Sequence, residues 1–187
     1  MKGTHGTTQD RVASIKKNGF QFSWSGASGR RKGSGVYFWD YQTDAYRQDA
    51  IELAQVFWAN LERIKGKESH PDNKLAIADA TFDDDMVLLD ALVKENLEIL
   101  MVMLRENQSK YQSAQGNNIN HDEWGGVYDN FIREVEKAWN KKIHALRISL
   151  QVHGKAPARF KMQPQSCLVV KAPEVIKELE FLDVGNL

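Results

Sequence analysis

The chain has 187 residues, enough for one domain with a sizeable core. Its 25 Lys plus Arg balance 25 Asp plus Glu, so net charge gives no general pull toward nucleic acid or an anionic membrane, and a polyanion would have to meet a local patch. Cys167 is the single cysteine, which excludes an intrachain disulfide and leaves no cysteine pair to start a zinc motif.

Met1 is followed by Lys2-Gly3-Thr4-His5 with no apolar leader, and no later stretch offers an unbroken apolar run of membrane-spanning length. A cytoplasmic chain with no membrane partner is expected. Thr4-His5-Gly6-Thr7 reads as a short strand. Thr7-Thr8-Gln9-Asp10 then has the form of a capping box, with Val12 and Ile15 as the inner face of a helix. Lys16 and Lys17 sit where the helix dipole favours cations, and Gly19 is placed to end the helix in a left-handed conformation. Residues 26–35 are loop in composition, and Val36-Tyr37-Phe38-Trp39 reads as a buried strand.

From Asp44 to Ile64, Ala50, Leu53, Ala54, Phe57, Trp58 and Leu61 recur at spacings of three and four, which predicts a helix with one apolar stripe. Residues 66–73, with Pro71, break it. Leu75 to Phe82 suits a strand, and Asp83-Asp84-Asp85 turns the chain; these aspartates lack the alternating ligand spacing of a calcium loop. Met86 to Gln112 reads as a strand end followed by one or two helices, and Leu97 to Leu104 is apolar on more than one side. Gln115 to Gly126, rich in Asn and Gly, is predicted to be an irregular loop. A helix over 131–142 and strands over 145–152, 166–170 and 180–184 complete the pattern. Short strands interrupted by helices, without repeats or linkers, predict a single α+β domain over residues 1–187. His70, His121, His144 and His153 are scattered without an i, i+4 pair, so no metal site is expected.

Thr4-His5-Gly6-Thr7, Gly19-Phe20 and Gly33-Ser34-Gly35-Val36-Tyr37-Phe38, followed by Ala45 and Ala50, succeed one another in an order that has a parallel. It resembles the start of the ADP-ribosyltransferase superfamily, in the branch similar to diphtheria toxin and the poly(ADP-ribose) polymerases, over roughly residues 3 to 50. The resemblance implies two short, twisted antiparallel sheets with flanking helices and a cleft for NAD, used as a substrate. In that setting His5 would hold an NAD ribose hydroxyl, and the Gly6 backbone would hold the nicotinamide carboxamide. Tyr37, two positions after Gly35, would stack on the nicotinamide ring. Thr7, Gly35 and Asp44 would lie in the same binding region.

The chain departs from the family in two places. Gln48 stands where a second stacking tyrosine is expected, near Asp44, Ala45 and Tyr46. Gln165 stands where a Glu opens a late strand. An amide can accept a ribose hydroxyl bond but cannot act as a general base, so Gln165 as a catalytic residue implies a single transfer and argues against long polymers. Asp122 and Glu123 are the nearest replacement acids, with a solvated loop as the plainer explanation of both. Arg30-Arg31-Lys32 could meet NAD phosphates or a nucleic-acid acceptor, or simply be solvated. Several minimal bacterial and phage-associated members of the superfamily are toxins or defence factors. By analogy, the resemblance implies a protein or nucleic-acid acceptor and admits an antitoxin or inhibitor protein as partner. A degenerate module that binds NAD or ADP-ribose, or an interaction domain docking through Leu97 to Leu104, stays open as an alternative.

Overall fold

The computed structural model describes residues 1–21, 33–65, 74–115, 121–152 and 156–183. Over these residues the chain is α+β. Its strands are β1 (Lys2–Thr8), β2 (Val36–Tyr41), β3 (Leu75–Phe82), β4 (Leu88–Asp90), β5 (Ala145–Leu150), β6 (Gln165–Val170) and β7 (Ile176–Asp183). Its α-helices are α1 (Gln9–Asn18), α2 (Arg47–Lys65), α3 (Lys94–Gln115), α4 (His121–Trp139) and the single turn α5 (Ala158–Lys161). A 3₁₀ turn at Asp44–Tyr46 leads into α2, so the expected helix from Asp44 has its first turn wound more tightly.

The seven strands form one hydrogen-bonded sheet in the order β4-β5-β6-β2-β1-β3-β7. All neighbouring pairs are antiparallel except β4 with β5, which run parallel. That exception follows from the connection: α3 and α4 lie between the two strands, and only a crossover of this length lets a chain return in the same direction.

Two apolar clusters lie on the two faces of the sheet. On one face Trp39, Tyr41, Ile77, Leu146 and Val169 meet the buried stripes of α2 (Ala50, Leu53, Ala54), α3 (Leu100) and α4 (Phe131, Ile132). On the other, Phe38, Ala78, Phe82, Leu168 and Val170 pack with Phe20, and Ile15 of α1 lies against them. Alternation of side chains along each strand accounts for the division: Phe38 and Trp39 are neighbours in sequence and belong to opposite cores.

Three local expectations change. The helix cap falls on Thr8, one residue after the expected Thr7, and the Thr8 side chain makes no capping bond; both threonines belong to the β1–β3 ladder, Thr7 opposite Ala76 and Thr8 opposite Leu75. Gly19 ends α1 at φ +69° but with an extended ψ of −176°, and its N–H donates to Ile15 O. The Asn- and Gly-rich stretch at Gln115 to Gly126 is mostly helical at both ends. Val127, Tyr128, Phe131 and Ile132 bury one face of α4, and this packing outweighs the poor helix propensity of Gly125 and Gly126. No helix among the described residues is long and apolar enough to cross a membrane.

A candidate site where the central strands part

β1 is paired along its whole length on one side and along less than half of it on the other. Opposite β3 the ladder runs from Lys2↔Thr81 to Thr8↔Leu75. Opposite β2 it covers Lys2↔Tyr41, Gly3↔Asp40 and Thr4↔Trp39, and stops. Continued, the register would set Gly6 against Tyr37. The direction of the main-chain groups there can be read from the ends of the other ladder: Phe82 N–H donates to Met1 O and Gln9 N–H donates to Lys74 O, both at 2.9 Å. Bonding alternates along an antiparallel pair, so odd residues of β1 turn their N–H and C=O to β3 and even residues turn theirs to β2. Gly6 therefore presents one donor and one acceptor to the stretch where β1 and β2 no longer pair.

Gly6 is fixed as glycine by its other surroundings. A Cβ there would meet Ala54 O at 2.8 Å and Trp58 Cβ at 3.0 Å, so α2 lies directly on the strand at this point.

His5 bridges the parting. Its Nδ1 lies 2.8 Å from Tyr37 O. A carbonyl oxygen only accepts, so Nδ1 carries the proton in this bond. Burial lowers the His5 pKa, the Tyr37 bond opposes that, and Arg11 adds to the lowering. The ring is thus neutral at pH 7, with Nε2 left as an acceptor. It packs edge-on to Phe20 at 5.4 Å and tilted to Phe38 at 5.6 Å.

Tyr37 projects to the opposite face from His5, half-buried against the core beneath α2 and α4. Its hydroxyl donates to Gly33 O at 2.7 Å. The turn that carries Gly33 is held by α4: both carboxylate oxygens of Asp129 accept from Ser34 N–H, at 3.0 and 3.1 Å, and Ser34 Oγ donates to Asp129 Oδ1 at 3.2 Å. Lys171 Nζ, just beyond β6, donates to Ser34 Oγ at 3.0 Å and pairs with Asp129. Gly35 has φ +145°, and a Cβ there would stand 2.7 Å from Val170 O, so both backbone conformation and contact with β6 demand glycine.

The remaining predicted residues stand apart from this group. Thr7 is buried one position beyond Gly6. Asp44 is 78% exposed and pairs with Lys2 at 3.1 Å, at the end of β1 where the strands are closed. Lys2 is four residues from Gly6, about 13 Å along a strand. Gln165 shares the face of Tyr37 but lies four residues from Val169, the ladder partner of Tyr37, and its Nε2 donates to Gln163 O at 2.9 Å. Asp122 and Glu123 fall in the first turn of α4, where a loop was expected, and their side chains lie outside the described residues, as do all of Arg30, Arg31 and Lys32.

Asp129, Ser34 and Lys171 were not found from sequence. The register explains why: Val36↔Val170 puts Lys171 level with Gly35, a juxtaposition that no local pattern encodes. Cys167 has no part in the group. Burial, with Asp40 adding to it, pushes its thiol well above the ordinary range, which leaves it a protonated, inert core residue. Compared with protein-family models, with curated proteins and with solved structures, the chain matches none.

Proposed function

We propose that the protein is an NAD-dependent mono-ADP-ribosyltransferase that works at the parting of β1 and β2. The observation that carries this reading is the end of the ladder at Thr4↔Trp39, which turns the Gly6 N–H and C=O toward Tyr37. A primary carboxamide needs one acceptor and one donor side by side, and one residue of an unpaired strand edge supplies both. Nicotinamide has that group on a flat cationic ring, for which the Tyr37 face offers stacking and cation–π attraction. The bare Nε2 of His5 suits a ribose hydroxyl. The resemblance implies a pair of antiparallel sheets, whereas the described strands form one mixed sheet that is continuous through the β1–β2 pairing, so the sheet arrangement lends this reading no support.

In the reaction the bond between nicotinamide nitrogen and ribose C1′ breaks, and nicotinamide leaves with the electron pair. A lone pair on the acceptor, a protein side chain or a nucleobase amine, bonds to C1′, and the acceptor loses a proton. Positioning and electrostatics dominate such a step. Gln165 can orient a ribose hydroxyl but brings no charge to the developing cation.

The hydrogen bond from Gln165 to Gln163 favours a second reading, a module that binds NAD or ADP-ribose without turnover. Incubation with radiolabelled NAD decides between them: label transferred to a macromolecule supports the enzyme, saturable retention supports the module, and neither result abandons both. Tyr37→Ala should abolish NAD use while the fold survives; an unfolded variant would assign Tyr37 to the core. Nicotinamide release at the wild-type rate in Gln165→Ala would make Gln165 a bystander, whereas Gln165→Glu should preserve or raise NAD hydrolysis.

A further inference from the structure

We propose that Asp129 is the positioning residue for Tyr37, acting through a single peptide unit of the Gly33–Gly35 turn. The Ser34 N–H that Asp129 binds and the Gly33 C=O that receives the Tyr37 hydroxyl belong to the same peptide bond. That group is planar and trans, so its N–H and C=O point in opposite directions and turn together. When Asp129 fixes the N–H end, the carbonyl is aimed at the tyrosine. A carboxylate bound at the N–H also polarises the amide, which strengthens the bond at the C=O.

The turn needs such a hold. Gly33 and Gly35 have φ of +100° and +145°, and with no Cβ at either position a rotation of the intervening peptides is sterically cheap. Ser34 Oγ and Lys171 Nζ close the same arrangement from the side, and Lys171 is itself largely buried, so the Asp129 carboxylate is fixed in place by two partners besides the peptide. The effect of Asp129 is on how narrowly the Tyr37 ring is confined before a ligand arrives.

This inference rests on the proposed use of NAD for one of its two readouts, and the other is free of it. The first readout is amide exchange followed by NMR. Asp129→Ala should speed exchange of the Ser34 amide by at least about tenfold while Val169 and Val170 keep their protection. Asp129→Asn, whose carbonyl oxygen still accepts, should restore part of it and carries the same test should the alanine variant not fold. Unchanged Ser34 exchange, or a loss spread evenly through the sheet, overturns the proposal. The second readout is NAD affinity by calorimetry in a double-mutant cycle. Asp129→Ala should weaken binding about tenfold in the wild-type background and less than about twofold in Tyr37→Phe, which lacks the hydroxyl that meets the peptide. Equal losses in both backgrounds would mean that Asp129 does not act through Tyr37. If the wild-type protein takes up no NAD, the functional reading fails, and the exchange result alone judges the role of Asp129.

Discussion

The two ends of the β1–β2 pair are built from the same strands and held together in different ways. At the end that contains Lys2–Thr4 the main chains pair directly, and polar side chains add to the pairing from both faces. On the helix-covered face the Tyr41 hydroxyl donates to Asp79 Oδ1 at 2.8 Å, Arg47 Nε donates to Asp79 Oδ2 at 2.7 Å, and Thr4 Oγ1 donates to Ala50 O at 2.6 Å. Burial, then Asp79, pushes the Tyr41 hydroxyl well above its ordinary pKa, so it stays a donor. On the other face Arg147, 12% exposed, lies between Asp40, 6% exposed, and Asp90. At the end that contains His5–Thr8 the β1–β2 ladder has stopped, and the His5 side chain bonds across to Tyr37 O, while the Tyr37 hydroxyl turns back to Gly33 O before its own strand. Backbone ladders yield only when strands separate, whereas a side chain can change its partner. The contrast assigns support to one end and, on the proposed reading, ligand binding to the other.

Arg147→Met tests the supported end and carries the largest expected effect. It leaves the Asp40 carboxylate buried without its cation and should cost about 3–5 kcal/mol of stability in urea denaturation. A loss near zero would mean that the ladder alone holds that end. Gly6→Ala should cost about 2 kcal/mol, because the new Cβ meets the main-chain oxygen of Ala54 and α2 must move off the strand. If its stability is that of wild type, the helix does not rest on the open end as described.

His5→Ala should weaken NAD binding by about 1–3 kcal/mol, the range for a buried hydrogen-bonding group left without its partner. Unchanged affinity in calorimetry would take His5 out of the site. The smallest effect is on pH dependence. The folded pKa of His5 lies below its ordinary 6.5, so the unfolded chain takes up a proton on acidification before the folded chain does. Stability is full above that pH and declines below it, down to the folded pKa, by at most about 1.4 kcal/mol per unit for this group. His5→Gln should flatten the slope relative to wild type between pH 6.5 and 5; identical slopes would show that the imidazole is equally proton-accepting in both states.

What could be read from the sequence follows the range over which each feature is determined. Leu75–Phe82 was legible as a strand and Arg47–Lys65 as a helix because apolar spacing within a few residues sets both. The start of α4 was missed because Gly125 and Gly126 argue locally for a loop, and only the burial of Tyr128 and Phe131 against other elements decides for a helix. His5, Gly6 and Tyr37 could be picked out by motif; the structure puts them on the adjacent strands β1 and β2 where the ladder stops, with the His5 and Tyr37 side chains on opposite faces of the sheet. The same motif reading grouped Asp44 with them, although the 3₁₀ turn puts it beside Lys2 at the closed end. The parting itself was invisible in sequence, since it is a property of register between β1 and β2, and so was Asp129, which meets the turn only through the packing of α4.

The hydrogen bond between Lys171 and Ser34 joins residues 137 positions apart, and β2 acquires its second neighbour only when β6 has been made. A chain emerging from the ribosome can pair β1 with β2 and β3 early, but it carries the outer edge of β2 unsatisfied until nearly the whole sequence is out. Contacts of such separation form late and slowly, because the intervening chain must first give up its freedom. The turn in front of Tyr37 is therefore among the last parts of the molecule to be set. A truncated or stalled product has no finished site, and the exposed edge of β2 marks it as a substrate for aggregation or proteolysis.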